Sequence, residues 1–331
     1  MRPTGKLHLG NYMGALHNWV RLQDEYECYF FIADWHALTT DYADPSQIAA
    51  NTREVILDYL AAGLDPAKSG LFIQSDVKQH AEFHLLLSMI TPLGWLERVP
   101  SYKEQQENLT GKDLSTYGFL GYPLLQAADI LIYQPDFVPV GQDQAAHVEL
   151  TREVARRFNQ FYKHPSPADG EILPEPQVLL TPSPKLPGTD GRKMSKSYGN
   201  TILLSDPETE VRRKLKTMVT DPARIRRKDP GNPDKCPVGD LHKIFSNQET
   251  LARVYEGCTT AGIGCIECKT WLADAVVAHL TPIQDRRAHF EQKPALVTEI
   301  LSAGSQHAAA RAEQTMRQVR AAMGLAGAVS E

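Results

Sequence analysis

The first eleven residues of the chain have side chains and spacing suited to binding a phosphate group. His8 and Asn11 flank the start of a helix that is predicted near Gly10. The first backbone N–H groups of a helix lack internal partners and lie at the positive end of its dipole, so they stabilise an anion. Gly5 and Gly10 let the backbone approach a ligand closely. An ordinary loop followed by a helix cap is an equally good interpretation of this stretch alone.

A second stretch, from Gly191 to Ser197, places two lysines on a loop. Lys193 and Lys196 lie three positions apart and follow a proline- and glycine-rich segment, which predicts a surface loop. Such lysines are able to close over a polyphosphate and to neutralise the charge that develops on a departing pyrophosphate. Taken alone, the pattern fits a solvated basic loop better.

Four of the five cysteines lie between residues 236 and 268. Cys236, Cys258, Cys265 and Cys268 follow the pattern C-x21-C-x6-C-x2-C, and the last pair has the spacing of a metal knuckle. This clustering and the odd total favour a metal site over a disulfide framework. Four thiolates suit tetrahedral Zn²⁺ or a cubane iron–sulfur cluster, and by spacing alone zinc is the commoner occupant. Cys28 falls in an apolar run and is expected in the core.

A basic segment lies between residues 212 and 228. It contains eight basic residues and one acid, Asp221, and therefore carries a local charge of +7 in a chain whose net charge is −5. This asymmetry favours contact with a polyanion, and the alternative is a solvated helix face. The basic residues are Arg212, Arg213, Lys214, Lys216, Arg224, Arg226, Arg227 and Lys228.

The composition is that of a soluble globular protein, with 42% hydrophobic and 23% charged residues. A length of 331 residues is sufficient for two domains with separate cores. No apolar run approaches the roughly 20 residues of a membrane span, and the N-terminus lacks the apolar core of a signal peptide. We therefore expect a cytoplasmic location.

The elements that position these residues alternate between strand and helix in the first half of the chain. Apolar runs predict buried strands at residues 28–33, 71–73, 137–140 and 178–180. Helices are predicted from Gly10, from Asp44 to a stop at Gly63, and over 123–133 and 143–158. This alternation predicts an α/β fold, a doubly wound parallel sheet of the Rossmann-like type with helices on both faces.

The pattern becomes wholly helical in the second half. Val211, Leu215, Met218 and Val219 mark one face of an amphipathic helix, and no convincing strand follows. We predict an α/β domain over residues 1–181 and a surface loop and linker over 182–205. A helical domain over 206–284 and C-terminal helices over 285–331 complete the predicted organisation.

The two lysine- and histidine-containing stretches together resemble the signature motifs of class I aminoacyl-tRNA synthetases. His8-Leu9-Gly10-Asn11 corresponds to the HIGH motif, and residues 193–197 match KMSKS letter for letter. Nearly the whole chain resembles the tryptophanyl-tRNA synthetase family, through residues 2–5, 10–12, 122–131 and 138–144. The resemblance implies ATP-dependent activation of tryptophan with Mg²⁺ and its transfer to tRNA(Trp), and makes the tRNA backbone the expected partner of the basic segment. It also implies that residues 1–181 form the catalytic domain, that 182–205 contain the mobile KMSKS loop, and that 206–284 form the anticodon-binding domain.

The resemblance also assigns roles to individual residues. Asp129 is expected to accept the indole N–H of tryptophan, while Tyr122 and Gln144 hold its amino group. A buried carboxylate that lacks a donor is costly, so this pocket should reject other amino acids by ~10⁴-fold. The expected catalytic residues are His8, Asn11, Lys193 and Lys196. The expected ATP-binding residues are Arg2, Pro3, Thr4, Gly10, Asn11, Gly141, Gln142, Asp143, Leu186, Lys193, Met194, Ser195, Lys196 and Ser197.

The cysteine pattern resembles a bacterial subset of this family that carries a [4Fe-4S] cluster in the anticodon-binding domain, and for that reason we favour the cluster over Zn²⁺. Members of the family are homodimers, and we expect the same here.

Two features depart from the family. Gln142 replaces a usual glutamate, so a charge is lost. In the family, a strand normally precedes the turn at residues 2–5, here called the first turn. We therefore expect the natural start of the protein to lie upstream of Met1. Tyrosyl-tRNA synthetase and a non-catalytic tRNA- or nucleotide-binding paralogue are the alternatives.

Overall fold

The structure, a computed structural model, describes residues 1–100, 102–103, 112–163, 170–180 and 185–325. All four predicted strands are present. β1 pairs in parallel with β2, and β3 pairs in parallel with β4. Parallel strands joined through helices agree with the alternating pattern. The described strands form two separate two-stranded sheets, however, and not the one continuous sheet that was predicted. The strands are β1 (Cys28–Ile32), β2 (Ser69–Ile73), β3 (Phe137–Val140) and β4 (Gln177–Leu180).

Helices connect these strands. The helix predicted to begin at residue 123 begins six residues earlier, because the Thr116 hydroxyl caps it by accepting the Phe119 N–H (3.2 Å). The predicted stop at Gly63 is confirmed, since this residue ends its helix in the left-handed conformation (φ 113°). The helices are α1 (Leu9–Asn11), α2 (His17–Leu22), α3 (Asp34–Asp41), α4 (Ile48–Ala62), α5 (Gln79–Ser88), α6 (Leu93–Glu97), α7 (Tyr117–Leu131) and α8 (Ala145–Phe161), with a π-helical turn (Tyr12–Leu16) joining the first two.

The remainder of the described chain is helical. Val219, predicted to lie on the apolar face of the first helix here, lies beyond its end and is 43% exposed. A boundary between two helical regions was predicted between residues 284 and 285, but the helix Cys265–Glu291 continues across it without a break. No described helix is both long enough and apolar enough to span a bilayer. The helices are α9 (Glu208–Thr217), α10 (Pro237–Phe245), α11 (Gln248–Thr259), α12 (Cys265–Glu291) and α13 (Pro294–Ala322).

The two C-terminal helices pack back onto the α/β part. α13 lies against β2 so closely that a Cβ atom at Gly304 would be 1.9 Å from the Leu71 carbonyl oxygen. α12 packs on α4, where Arg287 forms a buried ion pair with Asp58. Asp58 in turn accepts the backbone N–H of Leu7 (2.7 Å), so the helical part directly supports the first turn.

Candidate active site

The first turn enters α1 through a cap made by His8 and Asn11. The His8 N–H donates to Asn11 Oδ1 (3.1 Å), and the Asn11 N–H donates to Nδ1 of His8 (3.2 Å). This reciprocal pair satisfies two donors at the start of the helix and fixes the ring. Gly5 adopts the left-handed conformation (φ 96°), which favours glycine at this bend.

His8 is buried and uncharged at neutral pH. Burial, together with the nearby ammonium groups of Lys196 and Lys193, lowers its pKa to about 4. Because Nδ1 accepts a hydrogen bond, the proton of the neutral ring resides on Nε2. His8 therefore offers an N–H donor at the first turn without adding a positive charge.

The loop at residues 185–198, here called the lysine loop, is held in shape by Asn200. This residue was not predicted from the sequence. Its Oδ1 accepts the Ser195 N–H (2.8 Å), and its Nδ2 donates to Asp190 (2.7 Å) and to the Lys193 carbonyl (3.2 Å). Asn200 is 2% exposed. The Met194 N–H donates to the carbonyl of Leu186 (2.9 Å), which closes the base of the loop.

The structure brings the first turn and the lysine loop together. Nζ of Lys196 donates to the carbonyl oxygens of Thr4 and Gly5, both at 2.9 Å. Burial lowers the pKa of Lys196, an effect that the charge of Asp58 partly offsets. A Cβ atom at Gly10 would lie 3.5 Å from that of Met194 on the loop. The two motifs therefore share one surface.

Asp129 lies inside α7 and is 3% exposed, so its carboxylate is a buried group and not a surface charge. It receives His36 Nε2 on Oδ2 (2.8 Å), His80 Nδ1 on Oδ1 (2.6 Å) and Gln74 Nε2 on both oxygens (2.8 and 2.9 Å). Burial alone would raise the pKa of Asp129. The hydrogen bonds from His36 and His80 outweigh burial and hold this pKa below its usual range, so the carboxylate is ionised.

The three donors of Asp129 were not predicted from the sequence. Gln74 directly follows β2, and His36 lies in the first turn of the helix after β1. Side chains beyond the carboxyl ends of parallel strands meet at the same edge of a sheet, so strand ends were the available signal. His80, near the start of α5, gave no comparable signal. Oε1 of the fully buried Gln74 has no hydrogen-bond partner among the described residues.

The other expected substrate-binding residues lie on neighbouring elements. Tyr122 is on α7, one side of its ring against His147 (5.8 Å between centroids). Gln142 and Gln144 bound a short 3₁₀ turn after β3, preceded by Gly141; the Asp143 side chain is outside the described part of the structure. In the first turn, Pro3 is buried and Arg2 donates to the hydroxyl of Thr40. Ser197 lies in the 3₁₀ turn that ends the lysine loop.

The four clustered cysteines approach one another in the helical part. Burial, together with the neighbouring thiols of Cys236, Cys258 and Cys265, raises the pKa of the Cys268 thiol to about 12, so all four lie within electrostatic range. Arg224 Nη1 lies 3.7 Å from Sγ of Cys258. Nevertheless, no three His, Cys, Asp or Glu side chains in the described ranges form a group arranged to hold a metal ion. Cys28 is in β1, as predicted, but it is half-buried and packs against the core from outside.

The basic segment is partly neutralised by carboxylates outside it. Arg212 pairs with Glu208 and Asp274 at 2.7 Å, and Arg213 pairs with Glu210 at the same distance. Lys214 pairs with Asp206 (2.6 Å). The count of +7 therefore overstates the local charge. The other five cations have no carboxylate partner in the part of the chain that the structure describes: Lys216, Arg224, Arg226, Arg227 and Lys228.

Comparison with known proteins places this arrangement in one family. Residues 1–281 match the family described as tRNA synthetases class I (W and Y). The chain is 53% identical to tryptophan–tRNA ligase from Thermotoga maritima, with 98% of each chain covered. It is 50% identical to tryptophan–tRNA ligase from Ralstonia nicotianae, covering 98% of this chain and 97% of the relative.

Solved structures agree with the sequence relatives. The crystal structure of tryptophanyl-tRNA synthetase from Campylobacter jejuni complexed with ADP and tryptophan superposes with a TM-score of 0.87 at 33% identity, over 98% of both chains. The enzyme from Mycoplasma pneumoniae gives a TM-score of 0.80 at 31% identity, covering 99% of this chain and 97% of that one. The chain therefore belongs to the class I tRNA synthetases, and within them to the tryptophan–tRNA ligase family.

Proposed function

We propose that the first turn and the lysine loop bind one ATP between them, and that the enzyme uses it to convert L-tryptophan to tryptophanyl-AMP before transfer to tRNA(Trp). The observation that carries this proposal is the contact of Lys196 with Thr4 and Gly5 (2.9 Å), which joins stretches about 190 residues apart. A helix start faced by two lysines is a suitable environment for a polyphosphate.

The reaction requires positioning and charge stabilisation. A carboxylate oxygen of tryptophan attacks the α-phosphorus of ATP, and pyrophosphate leaves with the electron pair of the broken P–O bond. No enzyme nucleophile takes part. We assign His8 and Asn11 to donating hydrogen bonds to the phosphates, and Lys193 and Lys196 to stabilising the negative charge on the departing pyrophosphate. The Mg²⁺ that accompanies ATP supplies further neutralisation.

The remaining ATP contacts are assigned to residues around this surface. Leu186 and Met194, both buried at the base of the lysine loop, provide an apolar environment for the adenine ring. Gln142 retains an acceptor but not the charge of the usual glutamate. The proposed set also contains Arg2, Pro3, Thr4, Gly10, Gly141, Asp143, Ser195 and Ser197.

Recognition of tryptophan is assigned to the pocket around Asp129. The ionised carboxylate accepts the indole N–H, and Tyr122 and Gln144 bind the amino group. Amino acids without this N–H forgo a hydrogen bond to a buried, ionised carboxylate, which lowers their affinity relative to tryptophan. The pocket would therefore discriminate without an editing site.

Lys196→Ala tests the shared ATP site. Loss of one preorganised donor to a developing anion lowers the rate of adenylate formation by about 10²- to 10³-fold, while tryptophan affinity is retained. Single-turnover formation of tryptophanyl-AMP measures the rate, and tryptophan binding is measured separately. Lys185→Ala, which removes an exposed lysine at the start of the same loop, is the matched control. A normal rate in Lys196→Ala would remove this lysine from the mechanism.

We also propose that Cys236, Cys258, Cys265 and Cys268 hold a [4Fe-4S] cluster, with Zn²⁺ as the alternative. The donor chemistry fits, because four thiolates within mutual electrostatic range suit a cubane cluster. The side-chain arrangement described above fits less well, since the thiols do not close around a metal ion. Occupancy therefore requires the side chains to turn toward one another.

Metal analysis of protein prepared without oxygen tests this site. We expect visible absorbance and about four irons per chain, both lost in Cys258→Ser. Cys28→Ser, in β1 and outside the group of four cysteines, is the control and should keep the colour. Colourless wild-type protein with one zinc per chain would replace the cluster with the alternative.

The unpaired part of the basic segment is proposed to contact the tRNA backbone. Lys228→Ala should weaken tRNA binding and reduce the slope of log affinity against log salt concentration by about one. Arg213→Ala removes a cation already paired with Glu210 and should change the slope less. Equal slopes for the two variants would argue against the assignment.

A homodimer in the cytoplasm is the proposed working form, by analogy with the family.

A further inference from the structure

His80 lies directly behind Asp129 and is 0% exposed. Its Nδ1 is 2.6 Å from Oδ1 of Asp129, and its Nε2 is 2.7 Å from the hydroxyl oxygen of Tyr133. The ring packs against Phe31 and Phe72, with centroids 5.7 and 6.1 Å away. His80 is thus fixed by hydrogen bonds at both nitrogens and by aromatic contacts on its sides.

The direction of these hydrogen bonds follows from the chemistry of their ends. Burial raises the pKa of Tyr133, and the charge of Asp129 raises it further, so the hydroxyl keeps its proton. An ionised carboxylate accepts and never donates, so Nδ1 of His80 must carry the proton that binds Asp129. Nε2 of His80 shares the second hydrogen bond with the Tyr133 hydroxyl, so both ring nitrogens are engaged.

The donors of Asp129 differ in accessibility. Gln74 and His80 are fully buried, whereas the side chain of His36 is 11% exposed. Oδ1 is bound by the two buried donors, and Oδ2 is shared between Gln74 and His36. Oδ2 is therefore the carboxylate oxygen with the more accessible partner.

We propose that His80, held by Tyr133, is a positioning residue that anchors Oδ1 of Asp129 and thereby presents Oδ2 to the indole N–H of tryptophan. The inference rests on the proposed role of Asp129 in tryptophan recognition and extends it to two residues that do not contact the substrate. Loss of the anchor lets the carboxylate rotate, so the substrate must also restrict its rotation when it binds.

The test compares tryptophan with the analogue in which sulfur replaces the indole N–H. The ratio of their kcat/KM values in ATP–pyrophosphate exchange reports the N–H contact and not general folding. His80→Phe keeps the ring volume but removes both links. We expect KM for tryptophan to rise and the ratio to fall by about 10- to 100-fold, with KM for ATP unchanged. His80→Asn keeps a donor near the position of Nδ1 and should recover most of the ratio.

Tyr133→Phe removes only the hydroxyl and should lower the ratio by about 3- to 10-fold. Tyr59→Phe, a change at another fully buried tyrosine, is the control and should leave the ratio unchanged. If His80→Phe fails to fold, the ratio measured for Tyr133→Phe tests the positioning role by itself.

Asp129→Ala separates the inference from the function on which it rests. A wild-type ratio in folded Asp129→Ala would overturn the indole contact itself. A different outcome would be a reduced tryptophan-to-analogue ratio in Asp129→Ala together with wild-type ratios in folded His80→Phe and Tyr133→Phe. It would leave the indole contact intact and overturn the positioning role.

Discussion

Gly10→Ala tests how tightly the first turn is built. A Cβ atom at this position would lie 2.9 Å from both Cε1 and Nδ1 of His8, closer than carbon and nitrogen atoms pack. The ring has to turn away, and this breaks the bond in which Nδ1 accepts the Asn11 N–H. Loss of a helix cap costs about 1 kcal/mol and overpacking costs about 1–3 kcal/mol. The helix propensity of alanine returns up to about 1 kcal/mol.

The net expectation for Gly10→Ala is a free energy of unfolding lower by about 1–3 kcal/mol, measured with urea. Displacement of His8 by about 1 Å should slow adenylate formation about 100-fold in single-turnover assays, with KM for tryptophan nearly unchanged. Gly118→Ala, on α7 with no atom within 4 Å of its added Cβ, is the control and should be slightly stabilising at normal rate. A wild-type rate and wild-type stability in Gly10→Ala would show that the His8 ring is not held in one position.

Three further changes probe the support of the site. Arg287→Met leaves the buried Asp58 without its cation and should lower the free energy of unfolding by about 3–5 kcal/mol in denaturant titration; a loss below about 1 kcal/mol would contradict the buried pair. Because the pKa of His8 is about 4 in the fold and 6.5 ordinarily, the unfolded state takes up the proton first as pH falls. Wild-type stability should therefore drop by up to about 3 kcal/mol more than that of His8→Asn between pH 6.5 and pH 4, and parallel curves would refute the shift. Gly304→Ala forces α13 away from a β2 carbonyl and should destabilise by about 3 kcal/mol or more in thermal unfolding, whereas a small change would show that the helix moves freely.

The architecture was largely readable from the sequence because apolar periodicity and breaker residues report local structure. The predicted strand at residues 137–140 and the stop of α4 at Gly63 agree with the structure. The start of α7 was placed too late, since Thr116 was not recognised as its cap. Val219 was misassigned because periodicity alone does not show where a helix ends.

The surroundings of the site were not readable in the same way. Contacts between His80 and Tyr133, or between Arg212 and Asp274, join residues about 50 to 60 positions apart, and no local pattern encodes them. A count of charges within one segment also ignores partners on other elements. Lys196 was identified from its motif, but its approach to Thr4 depends on the tertiary fold.

Amino-acid-dependent ATP–pyrophosphate exchange, measured with all twenty amino acids, tests the central claim most directly. Asp129 is proposed to accept the indole N–H of tryptophan, and the lysine loop lies on the first turn, where ATP is proposed to bind. We predict exchange that depends on tryptophan and exceeds that with tyrosine or phenylalanine by ~10⁴-fold. Exchange supported equally by tyrosine, or absent with every amino acid in folded protein, would contradict the account.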